Sequence, residues 1–341
     1  MQALARRILA ALDEIPSRVI TVFGDFCLDK YLYIDPDKDE PSVETGLTAY
    51  QIVDIRNTPG ACGTVANNLR ALGAQVRCVG LLGEDGEGYD LSVALEAIGA
   101  DTSGMVRTPL RRTNTYTKPM RRQPDGQWTE LNRMDIRSFT PLPAPLEDQL
   151  IANLTTAVRE TMGVVIVDQF IQRNCAAVTD RVRQAISGLA RSHPDTFFFA
   201  DSRRFIAEFR DVFAKCNASE LIAAMNTGAG GGDAQTILPC GRALLRTSGK
   251  AAIVTMGGQG ITVFDTDGET HLPAFRVEEP LDTVGAGDSV SAGIILGLTL
   301  GLSLPAAALL ACCVSSITIQ QIGQTGSASP EQVRKRLMTL L

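Results

Sequence analysis

Short apolar runs rich in Val, Ile and Phe recur along the chain, and between them lie longer stretches whose apolar positions repeat every three to four residues. The short runs fall at residues 19–24, 76–82, 164–168, 197–201, 212–215, 252–256 and 261–264. They are apolar at nearly every position, as strands covered on both faces must be, and they predict the core of a mainly parallel sheet. Helical spacing predicts helices over about 65–72, 91–98, 146–161, 176–191, 234–247, 286–300, 305–320 and 330–341. Strand and helix alternate through most of the length, the order of βα units, so the fold class is α/β. Gly257-Gly258-Gln259-Gly260 separates the last two strand runs and predicts a hairpin turn. Residues 1–16 carry Arg6, Arg7, Asp13 and Glu14 among Ala and Leu at helical spacing, which suits an amphipathic first helix and not a signal peptide.

Two segments break the rhythm. Residues 31–57 and 105–138 alternate polar and apolar positions, carry turn residues and lack a long helical pattern, which predicts a small β-rich layer built jointly from both. Residues 228–232, Gly-Ala-Gly-Gly-Gly, read as a flexible loop. From Ser289 to Pro330 no residue is charged, and 290–304 is apolar enough to suggest a membrane span. Gly293, Gly297, Gly301 and Pro305 interrupt it, so two buried helices are expected instead.

With 341 residues, 45% hydrophobic and 21% charged, the chain has the balance of a folded globular protein. Its formal charge of −6 works against broad, sequence-independent nucleic-acid binding. There are two histidines, His193 and His271, which leaves little room for a His-rich zinc site or a mechanism that needs two imidazoles. The eight cysteines contain no C-x-x-C and mostly sit in apolar runs, as reduced core residues of a cytoplasmic protein do.

The most specific chemistry lies in Asp282-Thr283-Val284-Gly285-Ala286-Gly287-Asp288-Ser289, immediately before a long helical pattern. Gly285, Ala286 and Gly287 let backbone N–H groups at a helix N-terminus approach an anion, and Asp288 there can accept a hydroxyl proton beside a transferring phosphoryl group. The alternative is a Gly-rich turn with a capping Asp. Asn217 and Glu220, three apart after a strand run, can position hydrated Mg²⁺ or simply form an N-cap. Asp25 and Asp29 follow the first strand, where α/β sheets bind ligands, and carboxylates there suit vicinal hydroxyls; turn capping is the other reading. Pro59-Gly60-Ala61-Cys62-Gly63-Thr64 opens a helix and either faces a ligand or caps it. No G-x-x-x-x-G-K-[ST], G-x-G-x-x-G or G-x-S-x-G occurs, against P-loop NTPases, dinucleotide-fingerprint dehydrogenases and serine hydrolases.

In this order, from Val19 to about Ser329, the segments resemble the ribokinase (PfkB) family of carbohydrate kinases. Asp282 to Asp288 looks like its D-T-x-G-A-G-D signature, Asn217 and Glu220 match its N-x-x-E, and Gly60 to Gly73 stands where its N-terminal glycine signature does. The resemblance implies a three-layer αβα sandwich with a β-sheet lid made from the two excursions, ATP as donor, and a homodimer formed through the lid. It implies Asp288 as base and Gly285, Ala286 and Gly287 as anion hole. Asn217 and Glu220 would stand around Mg²⁺-phosphate. Asp25, Asp29, Gly60 and Thr64 would lie near the acceptor, and Thr255, Gly257, Gly260 and Cys312 on the nucleotide side. Asp282, with backbone near Gly323 to Thr325, would hold K⁺.

Within the family, Gly24 to Tyr31 and Thr115 to Arg121 look most like heptose-7-phosphate kinases, while Ala61, Thr64, Cys312 and residues 35–49 depart from that subfamily. The end at Leu341 without an H-x-G-H implies a kinase lacking the nucleotidyltransferase domain fused to some heptose kinases. A nucleoside kinase, with Tyr33, Tyr50, Tyr116 and Trp128 available for stacking, and a catalytically silent sugar sensor are the alternatives; the presence of Asp288 weighs against the second.

Charge adds one expectation. Residues 107–137 hold eight basic side chains, Arg107, Arg111, Arg112, Lys118, Arg121, Arg122, Arg133 and Arg137, against Asp125, Glu130 and Asp135. This excess is either solvated surface or a clamp for a phosphate already on the acceptor, with Lys118 first and Arg133 second as the clamping residues.

Overall fold

The computed structural model describes residues 1–225 and 234–341, so the 228–232 loop expectation lies outside the described residues. Among the described residues nine strands form one sheet in the order Gly268–Leu272, Ile261–Asp265, Gly249–Thr255, Val212–Asn217, Phe197–Ser202, Gly163–Asp168, Val19–Gly24, Gln75–Gly83, Val106–Thr108. Pairing is parallel from Gly249–Thr255 to Val106–Thr108. It turns antiparallel across the Gly257 to Gly260 connection. All seven strands expected from the apolar runs are present. The two not anticipated, Val106–Thr108 and Gly268–Leu272, are short edge strands without an apolar signature.

Alternation along one strand shows how the layers arise. Val164 and Ile166 join a buried cluster with Leu150, Leu154, Val182 and Ile186 of the helices Ala144–Val158 and Asp180–Ser192. Val165 and Val167 join the opposite cluster with Leu69, Ile294 and Leu310. Successive side chains point to opposite faces, so an unbroken apolar strand demands a helical layer on each side. The result is an αβα sandwich. The helix expected from 176 starts at Asp180, because the Thr179 side chain caps it by accepting from the Val182 N–H. Ala218–Ala224 is an additional short helix, too brief to show a period.

The two excursions do meet, in a five-stranded second sheet ordered Met134–Ile136, Thr115–Arg122, Phe26–Ile34, Ile52–Ala61, with Trp128–Glu130 paired to Thr115–Arg122. Its bounds differ from the sequence expectation of 31–57 and 105–138. It begins at Phe26 and runs to Ala61, because polar residues such as Asp29 and Lys30 occupy a strand continuing almost directly from Gly24, while Val106–Thr108 belongs to the main sheet. Its charges are complementary across the excursions. Lys118 pairs with Asp29, Arg121 with Asp39, and Arg122 with Asp35 and Asp37.

The charge-free stretch forms the helices Ala286–Thr299 and Leu304–Thr318, packed against each other in the core. Among the described residues no helix is long and apolar enough to cross a membrane. Gly293 and Gly297 permit this contact. A Cβ at Gly293 would lie 2.6 Å from Ala311 Cα, and one at Gly297 would lie 2.7 Å from Ala307 Cα. In an ordinary helix interior Gly→Ala stabilises by up to about 1 kcal/mol. Here the sign should reverse, since backbone must yield, and Gly293→Ala should lose roughly 1–3 kcal/mol in denaturant unfolding. A more stable variant would show that the two helices are not held in this contact.

Candidate active site

The main sheet's strand ends and the start of helix Ala286–Thr299 converge on one cleft. Gly285 caps that helix at φ +78°, a left-handed conformation that suits glycine, and a Cβ there would press on the methyls of Thr325 and Thr64 at 3.3 and 3.4 Å. The Ala286 N–H turns back to Thr283 O at 3.1 Å. The N–H groups of Gly287 and Asp288 follow at the helix N-terminus, where no carbonyl of the helix itself can reach them and the dipole favours an anion.

Beneath them lies a buried charge pair. Lys215 Nζ is 2.7 Å from Asp201 Oδ2, and Ser291 Oγ donates to the same oxygen at 2.8 Å. Nζ also stands 3.2 Å from where a Gly287 Cβ would be. Any larger residue at 287 would press on the ammonium. Asp288 sits on the next residue, half-buried. Its carboxyl is pushed up to about 7 by withdrawal from water and then by Asp201 and Asp29, with Lys215 and Arg203 pulling it back.

Two cavities meet at this helix start. The larger, about 450 Å³, is lined by Thr255, Gly257, Gly260 and Cys312, together with Thr283, Ala286 and Gly287. Burial pushes the Cys312 thiol up to about 12, so it faces this cavity uncharged. The smaller, about 230 Å³, is lined by Asp29, Thr64, Lys118, Arg133, Arg137 and Arg203, together with Gly285 and Asp288. Asp288 lines the smaller cavity, and its neighbour Gly287 lines the larger.

The residues expected around the acceptor divide in their placement. Asp29 and Thr64 line the smaller cavity. Gly60 leaves room for the Asp29 carboxylate, since a Cβ at 60 would come within 3.0 Å of Oδ2. Asp25, by contrast, spends its carboxylate on the backbone. Oδ2 accepts from the Gln169 and Phe170 N–H groups at 2.9 and 3.3 Å, and Oδ1 from Ala177 N–H at 3.0 Å. It ties down the 169–177 connection and does not line the cavity. Burial nevertheless holds its carboxyl up at about 6.

The cations divide too. Lys118 Nζ lies 3.3 Å from Asp29 Oδ1 and donates to Tyr31 Oη at 3.1 Å. Burial opposes its charge, and Asp29 and Tyr31 more than restore it. Arg133 bonds Asp135 at 2.7 Å and covers the Tyr116 ring. Arg137 and Arg203 make no ion pair among the described residues, and Arg137 Nε is buried without a hydrogen-bond partner. Sequence reasoning missed Arg203, Lys215 and Asp201 as site residues. The signal available was a charge inside, or directly after, an otherwise apolar strand, where an unpaired charge is costly.

Asn217 and Glu220 cap their helix reciprocally. Asn217 Oδ1 accepts from Glu220 N–H and Glu220 Oε2 from Asn217 N–H, both at 2.8 Å. Glu220 keeps Oε1 free of that box, which fits a contact to Mg²⁺ through water but not a protein cage. Among the described residues no group of three or more His, Cys, Asp or Glu could hold a metal. The expected K⁺ site fits less well. Asp282 accepts from Val284 N–H at 3.0 Å and Gly323 N–H at 2.9 Å, while the Gly323 carbonyl already receives the Arg56 guanidinium at 2.9 Å.

Comparison with known proteins gives the family and the fold. Residues 22–332 match the pfkB family of carbohydrate kinases. The bifunctional protein HldE of Hyphomonas neptunium is 28% identical over 335 residues, covering 98% of this chain and 66% of that protein. The bifunctional protein HldE of Trichlorobacter lovleyi is 29% identical over 320 residues, covering 92% and 61%. The chain thus spans less than two thirds of the length of these relatives. Among solved structures, phosphofructokinase-2 from Escherichia coli in complex with potassium superposes with a TM-score of 0.72 at 18% identity, covering 95% of this chain and 99% of the other. Arabidopsis thaliana ribokinase complexed with ribose and ATP gives 0.68 at 17%, covering 94% and 98%.

Proposed function

The chain belongs to the pfkB family of carbohydrate kinases and is a phosphotransferase, and on that premise we propose that it moves the γ-phosphoryl group of ATP to a hydroxyl of a sugar phosphate. The observation that carries this reading is the position of Asp288. A carboxyl with its pKa near neutrality lines the smaller cavity at a helix N-terminus, next to Gly287, which lines the larger. The larger cavity takes the nucleotide, with Thr255, Gly257, Gly260 and Cys312 around it. Gly287 and Asp288 N–H groups receive the charge that spreads over the transferring phosphoryl oxygens. Asp288 takes the acceptor's proton as the new P–O bond forms, and the bond from the γ-phosphorus to the β-bridging oxygen breaks, leaving ADP. Asn217 and Glu220 stand where hydrated Mg²⁺ would screen the phosphates when bound. The second sheet acts as the lid, and Asp29, held by Lys118, accepts hydrogen bonds from acceptor hydroxyls.

The acceptor's own phosphate is read from the cavity's cations that make no ion pair among the described residues. Lys118, the first sequence candidate, is satisfied by Asp29 and Tyr31, and Arg133 by Asp135. Arg137 and Arg203 remain to bind phosphate oxygens through charge-assisted hydrogen bonds. A nucleoside acceptor is less well served. Tyr33 and Trp128 pack on each other and Tyr50 lies under Arg121, so of the lid aromatics only Tyr116 lines the cavity.

The second sheet also leaves Ile52, Val53, Ile55, Met134 and Ile136 exposed, an apolar surface that supports a homodimer formed through the lid. Sedimentation should give a dimer, and Ile55→Glu should shift it toward monomer; a monomeric unmodified protein overturns this part of the reading.

Two predictions concern the chemistry. Release of ADP, followed over a panel of sugar phosphates and their parent sugars, should fall on the acid side of about pH 7 as Asp288 is protonated. Asp288→Asn should lower kcat by roughly 10² or more with nucleotide binding retained. A carboxyl raised on folding opposes stability increasingly as pH climbs from about 4 to about 7, so the same variant should be more stable than its parent at about pH 8. Normal turnover would remove Asp288 from the mechanism. For the acceptor, Arg203→Met should raise KM for a phosphorylated sugar roughly tenfold or more while changing little for the unphosphorylated parent. Equal use of both sugars by the unmodified enzyme would show that the cations are not a phosphate clamp.

A further inference from the structure

Arg56, on the strand Ile52–Ala61, crosses from the second sheet to Gly323, which is bonded in turn to Asp282 of the signature loop. Its Nη2 donates to Gly323 O at 2.9 Å. The same residue, Gly323, donates its N–H to Asp282 Oδ2 at 2.9 Å, and Asp282 Oδ1 accepts from Val284 N–H at 3.0 Å. Val284 precedes Gly285, whose αL turn starts the anion-binding helix, and Thr325 lies against Gly285. Three hydrogen bonds thus lead from a second-sheet guanidinium to the loop that presents the N–H groups.

The other end of Arg56 leads to the acceptor cavity. Arg56 pairs in register with Tyr31, and Tyr31 with Lys118, so the three side chains share one face of the sheet. The guanidinium lies 4.3 Å from the Tyr31 ring centre and Lys118 Nζ 4.6 Å from it, while Lys118 holds Asp29. Stacking on the ring fixes the direction of the planar fork. A monovalent cation at the Gly323 carbonyl would meet a positive guanidinium already bonded there.

We propose that Arg56 is a positioning residue that takes the place of a monovalent cation at the Asp282–Gly323 junction, so that the second sheet itself orders the anion-binding loop and turnover needs no K⁺. The inference rests on the kinase reading above. Arg56 touches no reacting atom. It acts on the transition state through the loop, so its loss should appear in kcat more than in the acceptor's KM.

The test compares the unmodified protein, Arg56→Met and Arg56→Lys in K⁺ and in tetramethylammonium, by turnover and by the thermal midpoint without substrate. The unmodified protein should show the same kcat and the same midpoint in both salts. Arg56→Met should lose roughly tenfold or more of kcat in tetramethylammonium, with acceptor KM changed less, because a charged hydrogen bond is removed. Arg56→Lys should recover part of that loss. A kcat of the unmodified protein that collapses without K⁺, or a midpoint that rises only with K⁺, overturns the proposal. So does an Arg56→Met variant with unchanged kcat, or one whose kcat is lost only in step with its midpoint. If the unmodified protein turns over no acceptor, the kinase reading fails, and the midpoint series alone decides whether K⁺ binds.

Discussion

The site depends on one buried charge pair. Lys215 and Asp201 lie in the interior at the ends of adjacent parallel strands, 2.7 Å apart. Burying two charges is costly unless each is well partnered, and here Ser291 adds a hydrogen bond to the carboxylate. The arrangement fixes the helix Ala286–Thr299 to the sheet through Ser291, and a side chain at 287 would have to displace Lys215 Nζ, which stands 3.2 Å from the Cβ position. It also sets the field at Asp288, with Asp201 raising and Lys215 lowering the same carboxyl. Neither partner can be changed without leaving the other buried and unpaired under the helix N-terminus.

The second sheet shows a different use of charge. Its basic excess looked like a binding surface in the sequence, yet Asp29, Asp35, Asp37 and Asp39 of the first excursion absorb Lys118, Arg121 and Arg122. The exposed pair of Arg122 with Asp37 adds little stability, whereas Lys118 and Asp29 are buried and each needs the other. Their consequence is specificity of register between two segments far apart in sequence, and the reduction of free cations in the cavity to those the local acids do not reach.

The legible and illegible parts of the sequence differ for physical reasons. Core strands such as Gly163–Asp168 announce themselves because both faces are buried and nearly every position is apolar. The Gly285 to Asp288 turn is legible because glycine at a positive φ and small residues near a helix start are a local requirement, visible in a few adjacent residues. Edge strands such as Val106–Thr108 are not, since three residues with one partner carry no pattern. Asp25 and Asp29 looked equivalent, four residues apart after the same strand. What separates them is long-range: backbone N–H groups of Gln169, Phe170 and Ala177 take the first, and Lys118 takes the second. Arg203 and Lys215 were hidden for the same reason, because their meaning comes from neighbours distant in the chain.

Asp25 shows that a carboxylate need not touch a ligand to shape the site. It carries burial's penalty, its carboxyl held at about 6, and so does Asp168, at about 7, with burial first and Asp25 second among the causes. Asp168 accepts from Ser202 Oγ at 2.8 Å and faces Arg183 at 3.5 Å, and its carbonyl receives the Arg203 N–H. The two acids therefore hold the connections that deliver Gln169 and Arg203 to the smaller cavity. Together they oppose folding at neutral pH, since burial raises both carboxyls, as it raises that of Asp288. Two acids at strand ends and one at a helix start thus set geometry against stability, and the apolar layers on both faces of the sheet must supply the difference.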